Sequence, residues 1–258
     1  MAYMMQHQPS TEDVNLGTIS ICSDPLVIPS KTAPKDVHAA WFLHGHPLST
    51  RYSNPTLISL ADLVRHNGEI YKGKTAFLYP TSGAPYESMT WDEFDSITES
   101  IALSYGLLLK AELEKANQAR KQPTVALLGG GTTLEYFCTQ LALMKLGVRV
   151  LLLAEGNALK AIQHLLESCR ATAIITDRKN ANVDARDVRK LDMIEILPEY
   201  DDDSITSRSL VDSIRFDDDG DVWERHTFII HSSGSTGMPK PIIHTNRSSK
   251  LMASHEEH

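Results

Sequence analysis

TVALLGGGTTLEYFCTQLALMKLGVRVLLLA, Thr124 to Ala154, is the stretch whose reading decides the fold. TVALLGG (Thr124 to Gly130) reads as a buried strand ending in a glycine turn. Leu134 to Leu146 follows as a helix, with Leu134, Phe137, Cys138 and Leu141 recurring at three- or four-residue steps along one side. VRVLLLA (Val148 to Ala154) is a second apolar strand. Working outward, a further helix aligns Ile162, Leu165, Leu166 and Cys169, and ATAIITD supplies a third strand. Strand, helix, strand, helix, strand with short connections implies an α/β fold built on a parallel sheet with right-handed crossovers.

The flanks are less regular. Upstream, Leu57 to Val64 reads as helical and KTAFLYP (Lys74 to Pro80) as a short strand. After the turn-forming TSGAP, SMTW leads into a helix beginning near Trp91, with Phe94, Ile97, Ile101, Tyr105 and Leu108 on its apolar face. Residues 178–221 are charged and predict peripheral structure and loops. HTFIIH (His226 to His231) returns as an apolar strand. Residues 1–55, rich in Pro, Ser, Thr and His without a sustained period, read as an irregular N-terminal arm, and residues 56–258 as the folded domain.

Composition narrows the function classes. The chain has 258 residues, 41% hydrophobic and 22% charged, ordinary values for a globular protein. A formal net charge of −8 argues against electrostatic binding of nucleic acid. Cys22, Cys138 and Cys169 form no CxxC pair, which suggests reduced, mostly buried thiols and a cytoplasmic protein. The N-terminus lacks the basic and apolar regions of a secretory signal, and the longest apolar runs are too short to span a bilayer.

The chemistry is concentrated in HSSGSTGMPK, His231 to Lys240, the loop at the carboxyl end of the last apolar strand. Ligands of open α/β sheets collect at that end of the strands. Gly234 and Gly237 permit positive φ and close approach to the backbone. The hydroxyls of Ser232, Ser233, Ser235 and Thr236, with main-chain N–H groups, can donate to oxyanions. Pro239 stiffens the chain before Lys240, which adds a full positive charge. Such a loop holds phosphate without a basic surface around it. It is not the GxxxxGK[ST] loop of nucleotide triphosphatases, because Pro239 stands where that pattern needs glycine.

HSSGSTGMPK closely resembles the Ser/Thr/Gly-rich signature of the AMP-forming adenylation superfamily, which includes acyl-CoA synthetases and the adenylation domains of nonribosomal peptide synthetases. PKPIIHTN, running on from it, is most similar to fungal synthetase-like carboxylic acid reductases. SMTWDEF resembles an early segment of these domains, and VALLGGGTTLEYFCTQLALMKLGVRVLLLA their first βαβ unit. The resemblance implies that Ser232, Ser233, Gly234, Ser235, Thr236, Gly237 and Lys240 hold the β- and γ-phosphates of ATP, with Thr236 also orienting Mg²⁺. It implies activation of a small carboxylic acid as an acyl-adenylate, then transfer to coenzyme A or a phosphopantetheine carrier. The family's adenine and ribose motifs, hinge and lid lysine have no counterpart before His258. The chain therefore reads as the N-terminal part of an adenylation domain, expected to be inactive alone. The alternative is a non-catalytic, nucleotide-responsive or interaction module that keeps the fold.

Other patterns carry less. Gly129, Gly130 and Gly131 follow a strand, yet GxGxxG fails at Leu134, leaving a simple βα turn. His44 and His46 form an HxH pair without a third ligand. HEEH at the terminus lacks the spacing of HExxH. Asp217, Asp219 and Gly220 mimic the middle of a calcium loop whose first and last ligand positions are Arg215 and His226, so a solvated acidic turn is expected. Asp201 to Asp203 read as surface charge. His231 and His244 flank the phosphate loop and stand open between ligand contact and a structural role.

Overall fold

The computed structural model describes residues 20–21, 59–81, 84–131, 133–196, 204–217, 220–232 and 237–249. Most of the 1–55 arm, Cys22, His44, His46, Asp201 to Asp203, Asp219 and the terminal HEEH lie outside the described residues.

The centre is a six-stranded sheet. In chain order its strands are β4 (Thr124–Leu128), β5 (Arg149–Leu153), β6 (Ala171–Thr176), β7 (Arg189–Asp192), β8 (His226–His231) and β9 (Pro241–Thr245). Across the sheet they run β7-β6-β4-β5-β8-β9. Every neighbouring pair is parallel except β8 and β9, which pair antiparallel. A smaller antiparallel sheet joins β1 (Ser20–Ile21), β2 (Thr75–Thr81) and β3 (Ala84–Thr90).

The unbroken apolar run TVALL follows from its position. Side chains alternate across a strand, so a strand covered on both faces has no polar positions. Val125 and Leu127 enter a core with Phe94, Ile101, Tyr105 and Leu141, while Ala126 and Leu128 enter another with Ile162, Leu165, Leu166 and Ile174. Helix α4 (Leu134–Lys145) packs on the first face. Helix α5 (Leu159–Ser168) packs on the second. The helices following two adjacent parallel strands thus leave to opposite faces, which opens a crevice beyond the carboxyl ends of β4 and β5.

Helix α2 (Trp91–Leu108) lies against α4 and is flanked by α1 (Leu60–Ile70), α3 (Lys110–Ala119) and α6 (Ser204–Ile214). Helix α1 starts at Leu60 and runs beyond Val64, later than Leu57 to Val64 suggests, because Ser59 and Asp62 form a reciprocal capping box there. Thr90 and Glu93 make the same box at the head of α2. SMTW contributes its first three residues to β3, paired with β2, before that helix begins at Trp91. On α2, Leu108 is 45% exposed and Leu109 only 1%, so the apolar face ends one residue later than its period predicts. The chain turns at Leu109 into α3.

Residues 178–221 are more integral than their charge suggests. They contain β7 at the sheet edge and α6, whose Val211 joins the following Phe216 in the main core. Gly106 on α2 makes room for this packing: a Cβ there would sit 2.3 Å from Ile214 Cδ1.

A charged network lies beneath these helices. Lys145, buried at the end of α4, places its ammonium 2.5 Å from Asp95 Oδ1 and 3.1 Å from Glu99 Oε1. Arg65 of α1 reaches Glu99 at 2.6 Å, and Arg208 of α6 reaches Asp95 at 2.5 Å. Burial pulls the Lys145 pKa below its ordinary value, and the two carboxylates limit the fall. Four helices are therefore tied through two α2 carboxylates.

Candidate functional site

The crevice at the carboxyl ends of β4, β5 and β8 has a volume of about 370 Å³ and is lined by Gly129, Gly131, Tyr136, Glu155, Ile230 and His231, among others. Its shape is set by a short chain of hydrogen bonds. Asp177, just past β6, accepts from Gly130 N at 3.1 Å and from Asn180 Nδ2 at 2.8 Å and N at 3.0 Å. Burial disfavours the Asp177 charge, but the Asn180 and Gly130 donors outweigh it and hold the pKa below the usual carboxylate range. The glycine turn is thereby pinned to the neighbouring strand. Asn180 Nδ2 also reaches Glu155 Oε1 at 3.2 Å, linking the turns after β5 and β6.

Thr133 caps α4 by accepting from Tyr136 N at 3.2 Å. That cap sets Tyr136 against the crevice. Its phenol is pushed up to about 12 by burial and by the Glu155 charge, so it stays protonated at neutral pH. On the opposite wall, Asn157 Nδ2 lies 3.0 Å from His231 Nε2. An amide N–H can only donate, so the ring accepts at Nε2 and a neutral His231 carries its proton on Nδ1. That Nδ1 is buried and has no partner among the described residues.

The signature loop opens from the same end of the sheet. Ser232 N donates to Lys240 O at 3.0 Å, and Lys240 N approaches Ser232 Oγ at 3.4 Å, closing the base of the loop where His231 pairs with Pro241. Gly237 has φ 136°, a conformation that favours glycine, with open space where a side chain would begin. Lys240 is exposed and makes no ion pair among the described residues. Of the phosphate-contact candidates, Ser232 and Lys240 are thus brought together, and Gly237 lies between them in the chain at positive φ. Ser233, Gly234, Ser235 and Thr236, including the candidate Mg²⁺ contact, lie outside the described residues. A strand rather than a helix follows the loop, so the loop itself does not lead into a helix N-terminus, and its available donors are hydroxyls, N–H groups and Lys240.

The remaining candidates resolve differently. His244 stacks on Phe228 with centroids 4.6 Å apart, on the β9 side of the hairpin. Asp217 pairs with Arg225 at 2.8 Å and accepts no metal-like arrangement from Arg215 or His226. Cys138 and Cys169 are free and buried, as their spacing suggests. Among the described residues no helix is long and apolar enough to cross a membrane. Asp177, Asn180, Asn157, Glu155 and Tyr136 were not singled out by sequence, since isolated polar residues after apolar strands form no motif.

Comparison with known proteins gives these features a context. The family model for the AMP-binding enzyme matches residues 64–256. An adenylate-forming reductase from Aspergillus terreus is 35% identical over 120 residues, 42% of this chain and 11% of that protein. Among solved structures, an anthranilate CoA ligase in complex with anthranoyl-AMP aligns at a TM-score of 0.54, with 17% identity, covering 79% of this chain and 38% of its own. A fatty acyl-adenylate ligase from L. pneumophila, in complex with acyl adenylate and pyrophosphate, also gives 0.54, at 16% identity over 76% of this chain and 31% of its own. The chain therefore spans a minor part of each relative's length. The structural likenesses agree with the α/β architecture, and the match over residues 64–256 supplies the assignment: this chain belongs to the AMP-binding enzyme family.

Proposed function

We propose that this chain carries the phosphate-gripping part of an ATP-dependent adenylate-forming enzyme, acting on a small carboxylic acid. The observation that supports it most is the closed base of the Ser232–Lys240 loop, with Lys240 in no ion pair among the described residues and Gly237 at positive φ, within a family-matched segment. In the reaction a carboxylate oxygen bonds to the α-phosphorus of ATP while the bond to the β-phosphate oxygen breaks, and pyrophosphate leaves. The Ser232–Lys240 loop holds the β- and γ-phosphates, with Ser233, Gly234, Ser235 and Thr236 completing the donors. Lys240 stabilises charge as it accumulates on the departing pyrophosphate. Mg²⁺, oriented by Thr236, supplies further charge neutralisation when bound. The protonated Tyr136 offers a donor at the crevice wall for the reacting groups. Acyl transfer to coenzyme A or to a phosphopantetheine carrier completes the activity of the whole protein.

The test is calorimetric titration of this chain with ATP and Mg²⁺. Lys240→Ala should weaken binding about tenfold or more, the loss of one charge-assisted contact. Unchanged binding by this variant would remove the loop from the ATP site. Nucleotide binding by the intact protein without carboxylate-dependent pyrophosphate exchange would favour the second reading, a nucleotide-responsive module.

A further inference from the structure

A second cavity, about 760 Å³, lies at the other end of the sheet. Its floor is formed where β4, β5, β6 and β8 begin, and α3 forms one wall. Charge here runs against the chain as a whole, which carries −8. The bordering carboxylates are paired, Glu112 through Oε1 by Arg189 at 3.0 Å, Glu224 by Arg247 at 2.5 Å and Asp221 by Arg247 at 3.7 Å, with Glu112 Oε2 alone buried without a partner among the described residues. Arg149, Arg170, Lys115 and Lys121 also border the cavity and make no ion pair among the described residues.

Arg149 is the most telling. Its NH1 lies 3.2 Å from His226 Nδ1. A guanidinium only donates, so the imidazole accepts there and is neutral, leaving the Arg149 charge uncompensated. Arg149 Nε is buried without a partner among the described residues. Burial and the nearby Arg170 both lower the Arg149 pKa. Other nearby donors are spent: Gln122 Nε2 serves Gly147 O at 2.9 Å and His226 O at 2.7 Å, and Thr172 serves Thr124 O at 3.2 Å. Arg170 itself sits just after the α5 C-cap with φ 52°, where glycine is the usual residue. The fold thus keeps a guanidinium at this spot at a conformational cost.

We propose that this cavity binds a small organic phosphate monoester. Arg149 and Arg170 hold its dianionic head, Lys121 adds charge at the rim, and Ala116, Ala119 and Pro123 receive its apolar body. Two guanidinium groups without carboxylates suit a dianion better than a single charge. This site is separate from the ATP reading and stands whether or not that reading holds.

The probe is 1-naphthyl phosphate, titrated calorimetrically against the whole chain beside 1-naphthol and inorganic phosphate. The expected result is that the ester binds more tightly than either half. Arg149→Met and Arg170→Met should each weaken it about tenfold or more, the loss of a charge-assisted contact. Arg170 is exposed, so its variant keeps the test open if Arg149→Met fails to fold. Lys240→Ala and excess ATP with Mg²⁺ should leave the titration unchanged. No binding of the ester, equal binding of 1-naphthol, insensitivity to Arg170→Met, or displacement by ATP would each overturn the proposal.

Discussion

Glu99→Gln should destabilise this protein more than Lys145→Met, although both remove one charge from the same buried network. The network places three cations, Lys145, Arg65 and Arg208, around two carboxylates, Asp95 and Glu99. Removing Lys145 leaves two arginines facing two carboxylates, each still paired. Removing the Glu99 charge leaves Lys145 and Arg208 sharing Asp95 and Arg65 with only the outer Asp212. The outer carboxylates cannot make this good, because Asp212 and Glu69 are 44% and 62% exposed and screened by water. Stranding buried charge costs about 3–5 kcal/mol, whereas losing charge-assisted contacts whose partners remain satisfied costs about 1.5–3 kcal/mol. For a chain of this size each kcal/mol moves Tm by roughly 2–4 °C, so Glu99→Gln should lower it by on the order of 10 °C. Urea denaturation followed by circular dichroism, with Tm from calorimetry, measures both variants. The Lys145→Met/Glu99→Gln double variant should lose less than the sum of the singles, since it restores the balance. Lys145→Met proving the more damaging substitution, or additive losses in the double variant, would refute the charge accounting.

Further expectations are independent of that network. Gly106→Ala should cost about 1–3 kcal/mol through overlap with Ile214, and adding Ile214→Ala should recover part of the loss in urea melts. Thr133→Ala removes the α4 cap and should cost about 1 kcal/mol. His226 is held below its ordinary pKa by burial and by Arg149. The unfolded chain therefore binds the proton more readily, so stability rises with pH up to about 6.5 and declines as pH falls below it. NMR titration of the His226 ring should give a pKa below that of an unfolded peptide, and a value above it would contradict the Arg149 contact. Asp177→Ala should release Gly130 N and speed its amide exchange, with little change at the distant Gln122.

The sheet was legible because its strands obey a simple constraint. A strand covered on both faces is apolar along its middle, and TVALL, VRVLLLA and ATAIITD share that run, with polar residues such as Thr124 and Arg149 confined to the strand ends. The start of α2 near Trp91 was read from the sequence, whereas α1 was expected from Leu57 because the reciprocal bonds of S-L-A-D, which fix its first turn at Leu60, leave no mark on apolar spacing. Charge misled at α6: its buried face is carried by few residues, and Arg208 is charged yet turned inward to Asp95. Periodicity likewise gave no warning of the break at Leu109, which depends on the turn into α3. At the candidate site the signature loop was visible because its glycines and hydroxyls are contiguous. The crevice residues Asp177, Asn180 and Asn157 were not, since their partners Gly130 and His231 come within reach only once the strands lie side by side.

The two faces of the sheet are unequally clothed, and that inequality sets how the domain breathes. One side is sealed by four helices bound through buried ions; the other rests chiefly on α5 and its aliphatic stripe. Thermal openings should start on the thinner side, so deuterium would enter β6 and α5 well before β4 and α4, and the crevice would loosen from the Asp177 wall while the glycine-to-helix wall held firm.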